Sequence, residues 1–553
     1  MKKARFILLL FMPFVLQAQM TTRQEAAIDS LFINWNQPNH PGGAVAVMQE
    51  GQIIYSKAFG LASLEYLVPN TTATQFNIAS VSKQFTAMGI VLLHLEGKLS
   101  VDDDIRKHLP ELPDFGETIT IRHMLHHTSG LRSLHALLGM AGWRGDDLRT
   151  NADINRFMRK QKDLNFTPGS EYLYCNTGFM LMVNIMEKIT GEDFRTWMKA
   201  NIFLPLGMRN TYVENQYNSV MPGNATSYEV NEKGGYNREV EYWGYVGSGN
   251  MHTTAEDLLK WNKNFYAPEE GWEKAFTMLQ TTDPFNDGRS HTYAFGVNVD
   301  TYKGLKRVQH GGSIGGFRSS SCTFPDQQLN VAVLTNFNRG NPGGKVAAIA
   351  DILLPVQETA LPEGISLETQ QLKKFIGDYW DERTNNPLKV RLQNDTLRYG
   401  SGENSLRSLV PVSANTFIVQ HSPDRTLVFN AEEEQVTITN PGSNVYTFNK
   451  YDPSESQTPL SQLTGRYYSA ELETAYVIKE REGQLIHLHP RHGEGSFESI
   501  KKDTFAGNYP LSVVAFSRNT EGIITGIYVT NGRARDVWFR KIDEKTLISD
   551  KSD

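Results

Sequence analysis

The chain changes rhythm near residue 355, and this change limits its possible folds more than any single motif does. Up to Leu354, helical apolar periods mix with strand-like runs. From Pro355 to Ser366 the periodicity disappears while Pro, Gly and Glu accumulate, which marks a linker. Beyond it come only short strand-like runs: 388–392, 416–419, 426–429, 435–438 and 445–448. After the polar stretch 452–458 follow 474–479, 484–488, 513–516, 523–529 and 537–539. The opening Phe375-Ile376-Gly377-Asp378-Tyr379-Trp380 is echoed by Leu463-Thr464-Gly465-Arg466-Tyr467-Tyr468. Two copies of a small antiparallel barrel or sandwich leave such an echo. The expected fold class is multidomain: an α+β unit followed by two small all-β barrel-like domains. The expected boundaries are 22–355 for the first unit, 356–368 for the linker, and 369–451 and 459–545 for the β units.

Residues 1–18 read as a secretory signal peptide: a positive start to Arg5, an apolar run from Phe6 to Val15, and a small-residue boundary at Leu16-Gln17-Ala18. A periplasmic or secreted protein is expected; an uncleaved amphipathic anchor is the rival. No later run of eighteen apolar residues occurs, so no transmembrane segment is expected in the mature chain. A net charge of -6 without a strongly basic stretch argues against a nucleic-acid partner. Cys175 and Cys322 are the only cysteines, enough for one disulfide but not for a disulfide framework or a cysteine-rich metal site.

Within the first unit, Gly43–Met48 and Gln52–Ser56 read as a hairpin turning at Glu50-Gly51. The stretch from Gln75 to Gly97 carries apolar residues at Phe85, Met88, Ile90, Val91, Leu92 and Leu95, a largely buried helix. Ser80 and Lys83 then share a face of its first turn, where an amine beside a hydroxyl can activate it as a nucleophile. A cap serine and a snorkelling lysine would give the same pattern. His123, His126 and His127 lie on a short helix. They read as core or surface residues of it, because no carboxylate ligand stands at a fixed spacing. Tyr174 and Asn176 lie on a connection entering the helix 179–189, a place where rigid elements present reactive side chains. His310-Gly311-Gly312-Ser313 opens a Gly-rich segment. It is either a loop between strands or a backbone that must approach a ligand closely.

Ser80-Val81-Ser82-Lys83, Tyr174-Cys175-Asn176 and His310-Gly311-Gly312, with Thr167-Pro168-Gly169, His127–Gly130 and Ser248–Asp257 between them, resemble the serine β-lactamase and penicillin-binding-protein superfamily. The likeness is to class C β-lactamases, D-alanyl-D-alanine carboxypeptidases, D-aminopeptidases and esterases, and it covers residues 22–355. It implies an α+β serine β-lactamase-like domain that cleaves an amide or ester through an acyl-Ser80 intermediate. D-amino-acid peptides or amides lead as substrates, ester and β-lactam turnover follow, and a non-catalytic penicillin- or cell-wall-binding module is the rival. In that likeness Lys83 and Tyr174 shuttle the proton, with the tyrosine held as a base by lysine charge. Asn176 orients substrate and supports Lys83. Backbone N–H groups of Ser80 and Ser313 form the oxyanion hole, and His310, Gly311 and Gly312 line the substrate position. No cofactor or metal is implied. The partners are a small-molecule or peptide substrate and a cell-wall peptide.

His310 departs from the lysine of many relatives, and Gly311 from their threonine. A histidine charged only in part near pH 7 weakens the recognition of substrate carboxylates and favours the aminopeptidase and esterase branches. The two β blocks resemble lipocalin-like domains of D-aminopeptidase relatives, in which a barrel loop can approach the cleft.

Overall fold

The computed structural model describes residues 20–355, 362–420, 422–440, 442, 444–453 and 458–543. The signal-peptide reading of 1–18 therefore falls outside the described residues, as do 356–361 of the linker and 544–545 of the last unit. The first unit is built on a six-stranded antiparallel sheet. Helix α1 (Thr22–Ser30) precedes β1 (Gly43–Gln49) and β2 (Gln52–Phe59), which form the expected hairpin. Helices α2 (Lys83–Leu95), α3 (Asn176–Thr190) and α4 (Ala255–Lys263) follow. Then come β3 (Asn298–Tyr302), β4 (Leu305–Ile314), β5 (Phe317–Phe324), β6 (Leu329–Thr335) and helix α5 (Pro342–Leu353). The sheet order is β3-β4-β5-β6-β1-β2.

The central strands are apolar throughout because both sheet faces are covered. Val45, Val47, Val331 and Val333 pack with residues of α1 and α5, while Ala44, Ala46, Ala332 and Leu334 join the core on the opposite face. That second core contains α2, ten of whose residues are buried, Lys83 among them. Two of the buried polar side chains of α2 are paired across the core: Gln84 Oε1 accepts from Trp261 Nε1, and Thr86 Oγ1 donates to the carbonyl of Gly247. Cys175 and Cys322 are buried free thiols, so the one disulfide that two cysteines allow is not formed.

The remaining chain forms two closed eight-stranded antiparallel barrels. The first comprises β7 (Gly377–Asp381), β8 (Asn386–Gln393), β9 (Thr396–Gly400), β10 (Arg407–Pro411), β11 (Thr416–Val419), β12 (Ser422–Asn430), β13 (Gln435–Thr439) and β14 (Val445–Tyr451). The second comprises β15 (Gly465–Ser469), β16 (Thr474–Arg481), β17 (Gln484–His489), β18 (Gly493–Lys501), β19 (Thr504–Gly507), β20 (Val513–Arg518), β21 (Ile524–Asn531) and β22 (Ala534–Ile542). Closure leaves neither barrel with an open edge. The first is filled by its own side chains, with Phe375 against Phe417 and Phe429 at ring separations of 5.5 and 4.6 Å.

Both barrels dock on the hydrolase unit beside Tyr174. Asn444 of the first brackets Tyr172, accepting its N–H at 2.9 Å and donating to its carbonyl at 2.7 Å. Glu171 pairs with Arg383 of the first barrel and Arg535 of the second. Buried Arg132 pairs with Glu471 at 2.9 Å and donates to the carbonyls of Arg535 and Asp536. Apolar residues of the second barrel, Tyr476 and Phe539 among them, continue the core around α2.

Candidate active site

Ser80 does not lie on α2 itself but on the single 3₁₀ turn Ala79–Ser82 that leads into it. This turn is strained, since Ala79 has φ +48°, a conformation costing a residue with a Cβ about 1–3 kcal/mol. Three anchors hold it. Asn77 Oδ1 accepts the Ala79 N–H at 2.9 Å, Ile78 N–H donates to the carbonyl of Met251, and Ser319 Oγ donates to that of Ile78. The tight turn aims Ser80 outward while Lys83, one turn on, points back beneath it.

Lys83 Nζ lies 3.1 Å from Ser80 Oγ and donates to the Ser248 carbonyl at 2.7 Å. Burial, reinforced by the positive charge of Arg533, pushes its pKa well below the usual lysine value. Once unprotonated, the amine, with one N–H committed to Ser248, keeps its lone pair for the Ser80 proton. Asn176 does not support Lys83 as the resemblance implied: its Oδ1 has no hydrogen-bond partner, and the Ser248 carbonyl holds the amine instead. Asn176 opens α3 and still lines the cleft next to Ser80.

Tyr174 differs from expectation in its charge. Burial raises its phenol well above the ordinary tyrosine value, and the opposing pull of Ser80 and Arg533 does not overcome this. It is therefore a phenol rather than a phenolate, and burial rather than lysine charge decides the matter. Its hydroxyl faces Ser80 without a hydrogen bond of normal geometry. Its ring lies 4.9 Å from Lys83 Nζ and packs on His127 at 4.2 Å and Tyr293 at 6.0 Å. Of the three histidines read as ordinary helix residues, only His123 lies in α-helix, whereas His127 becomes part of this aromatic nest and accepts the Cys175 N–H. His126 bonds Asp283. Among the described residues no cluster of metal-ligating side chains occurs.

The 310–314 stretch is strand rather than loop. It forms the end of β4 that β3 does not cover, leaving that edge open to the cleft. Gly312 is required there: a Cβ would sit 2.2 Å from the Ile78 carbonyl oxygen and 2.2 Å from Ser319 Oγ. Glycine thus lets β4 close on the Ser80 turn, bringing Ser313 into the same cleft as Ser80, with Gly311 on its wall. His310 is neutral rather than partly charged, because burial above all lowers its pKa to about 3. Its Nδ1–H donates to the Gly311 carbonyl, so its Nε2 accepts from Tyr293 Oη at 3.0 Å.

Ser80, Tyr174, Asn176 and His310–Ser313 line a cleft of about 860 Å³ together with Arg318, Arg339 and Arg533. An adjoining pocket of about 220 Å³ brings His135, Arg149, Trp243 and Tyr245 to the other side of Ser80. Sequence reasoning missed Tyr293, the Ser248 carbonyl and Arg533. Only Ser248 had a signal, the Gly-Ser-Gly-Asn stretch around it.

The β-lactamase family model matches residues 18–354. The chain is 25% identical over 540 residues to a D-aminopeptidase of Gluconobacter oxydans, covering 94% of this chain and 99% of that one. It is 24% identical over 517 residues to a D-aminopeptidase of Brucella anthropi, covering 91% and 95%. The octameric penicillin-binding protein homologue from Pyrococcus abyssi shares the fold with a TM-score of 0.54 at 24% identity, over 77% of this chain and 99% of that one. With its serine, lysine and tyrosine gathered under the open edge of the sheet, this chain belongs to the β-lactamase family and is a serine hydrolase.

Proposed function

We propose that the protein hydrolyses an amide or ester bond in two steps through an acyl-Ser80 intermediate, with D-amino-acid peptides or amides as preferred substrates. The observation that carries this reading is the buried Lys83 amine 3.1 Å from Ser80 Oγ, its pKa pushed well below the usual lysine value. Lys83 takes the hydroxyl proton as Oγ attacks the carbonyl carbon, and the backbone N–H groups of Ser80 and Ser313 receive the oxyanion. The Tyr174 phenol gives a proton to the leaving nitrogen or oxygen and regains one from the Lys83 ammonium. Water then attacks the acyl-enzyme by the same route in reverse. The D-aminopeptidase names of the relatives support the choice of substrate, and the character of residues 1–18 supports export to the periplasm or medium.

Intact-mass spectrometry with an acylating ester tests the mechanism: a Ser80-dependent adduct that turns over is expected, and equal labelling of Ser80→Ala would sink it. Matched D- and L-alanine amides test the stereochemistry, with faster release from the D form expected.

A further inference from the structure

Arg533 stands in the two-residue tip, Gly532-Arg533, that joins β21 to β22 of the second barrel. Its guanidinium carbon lies 4.9 Å from the centre of the Tyr174 ring, and the residue forms part of the wall of the Ser80 cleft. The tip is firmly held. The Arg533 carbonyl accepts from Ser133 N–H at 3.0 Å and Asn165 Nδ2 at 3.2 Å, and the Arg535 N–H donates to Asn165 Oδ1 at 2.8 Å. The Arg535–Glu171 pair and the Arg132 guanidinium fix the strand behind it.

The cleft is cationic. Arg318, Arg339 and Arg533 line it, no carboxylate does, and none of the three makes an ion pair among the described residues. Arg318 is committed to the carbonyls of Gly315 and Phe317, and His310 is neutral. Arg533 therefore offers a planar fork of donors without an anion, beside the phenol that protonates the leaving group. An anion there would meet a charge-assisted, two-pronged partner.

We propose that Arg533 is a substrate-binding residue that receives the carboxylate of the departing amino acid, so that peptides ending in a free carboxylate are preferred to their amides. This rests on the acyl-Ser80 reading above. The side is set by Tyr174: the group stacked on the proton donor lies where the leaving nitrogen departs, and in a peptide the free carboxylate is attached to the carbon next to that nitrogen. The positive charge absent at position 310 is thus supplied by a different domain.

The test compares kcat/KM for N-acetyl-D-alanyl-D-alanine and its C-terminal amide, using the full-length protein, Arg533→Gln and Arg533→Lys. The ratio within one protein cancels differences in the folded fraction. Unmodified protein is expected to favour the acid by about tenfold or more, as one charge-assisted hydrogen bond warrants. Arg533→Gln should bring the ratio close to one, and Arg533→Lys should retain part of it. A ratio of one in the unmodified protein, or a ratio unmoved by Arg533→Gln, overturns the proposal. Ser80-dependent turnover of p-nitrophenyl acetate separates the two readings. With the ester turned over and the preference absent, only the carboxylate role falls; with no Ser80-dependent turnover of ester or peptide, both fall.

Discussion

Lys83 and Ser80 face each other at 3.1 Å in a site where the lysine side chain has no exposure to water. The amine is useful as a base only while unprotonated, and burial together with Arg533 favours that state. The acid limb of kcat/KM is therefore expected well below the ordinary lysine range, with activity rising as pH rises through it. Removing the Arg533 charge lets Lys83 hold its proton to higher pH, so Arg533→Gln should move that limb upward. A pH–rate profile on a neutral ester reads both effects.

Replacing Ser80 by Ala or Lys83 by Met should each lower acylation at least about a thousandfold, without additivity in the double variant, because nucleophile and base act as a unit. Stopped-flow burst amplitudes check this. Additive losses would mean that Lys83 serves only packing.

Gly312→Ala should reduce kcat by about a hundredfold or more with little change in KM. The new Cβ would press on the Ile78 carbonyl and Ser319 Oγ, shifting the Ser80 turn against the oxyanion donors, and displacements near 1 Å cost rates of that order. Steady-state kinetics with a check of thermal unfolding distinguishes this from loss of fold.

Stability should fall in acid through His310. Its folded pKa of about 3 lies below the usual value of 6.5, so the unfolded chain binds the proton first. The contribution is complete above about pH 6.5 and is lost as pH falls toward 3, amounting to about 2 kcal/mol by pH 5. Urea unfolding at pH 7.5 and 5 should show this loss in the unmodified protein and a smaller one in His310→Asn.

Cutting the chain after Pro355 should destabilise what remains rather than release a working enzyme. Arg132 would lose Glu471 and two carbonyl partners, and the core shared with Tyr476 and Phe539 would open to water. Glu471→Ala alone should cost about 3–5 kcal/mol, since it strands a buried guanidinium. Chemical denaturation of Glu471→Ala and Glu471→Gln measures this.

The residues gathered around Ser80 were legible because their types are rare in combination: a serine one helical turn before a lysine, a tyrosine two before an asparagine, glycines beside a serine. The two-domain tail was legible from the rhythm of its strands and the repeated opening, although β9, β10, β18 and β19 were missed. Their runs, such as Gly493–Lys501, interleave Gly, Glu and Ser with few apolar residues, because a barrel wall needs only its inner side chains to be apolar. Protonation states were not legible. The roles given to Tyr174 and His310 depended on charge, and burial, which sets that charge, arises from segments far apart in the chain. Ser248 acts through a carbonyl, which every residue possesses and no motif reveals. Arg533 is separated from Ser80 by almost the whole chain, and no spacing rule connects them.

Selection can reach substrate choice at the Gly532-Arg533 tip without touching the residues that make and break the acyl bond. Descendants sharing one chemistry can diverge in diet by exchanging a hairpin end, while Glu171 and Arg132 keep the replacement in register.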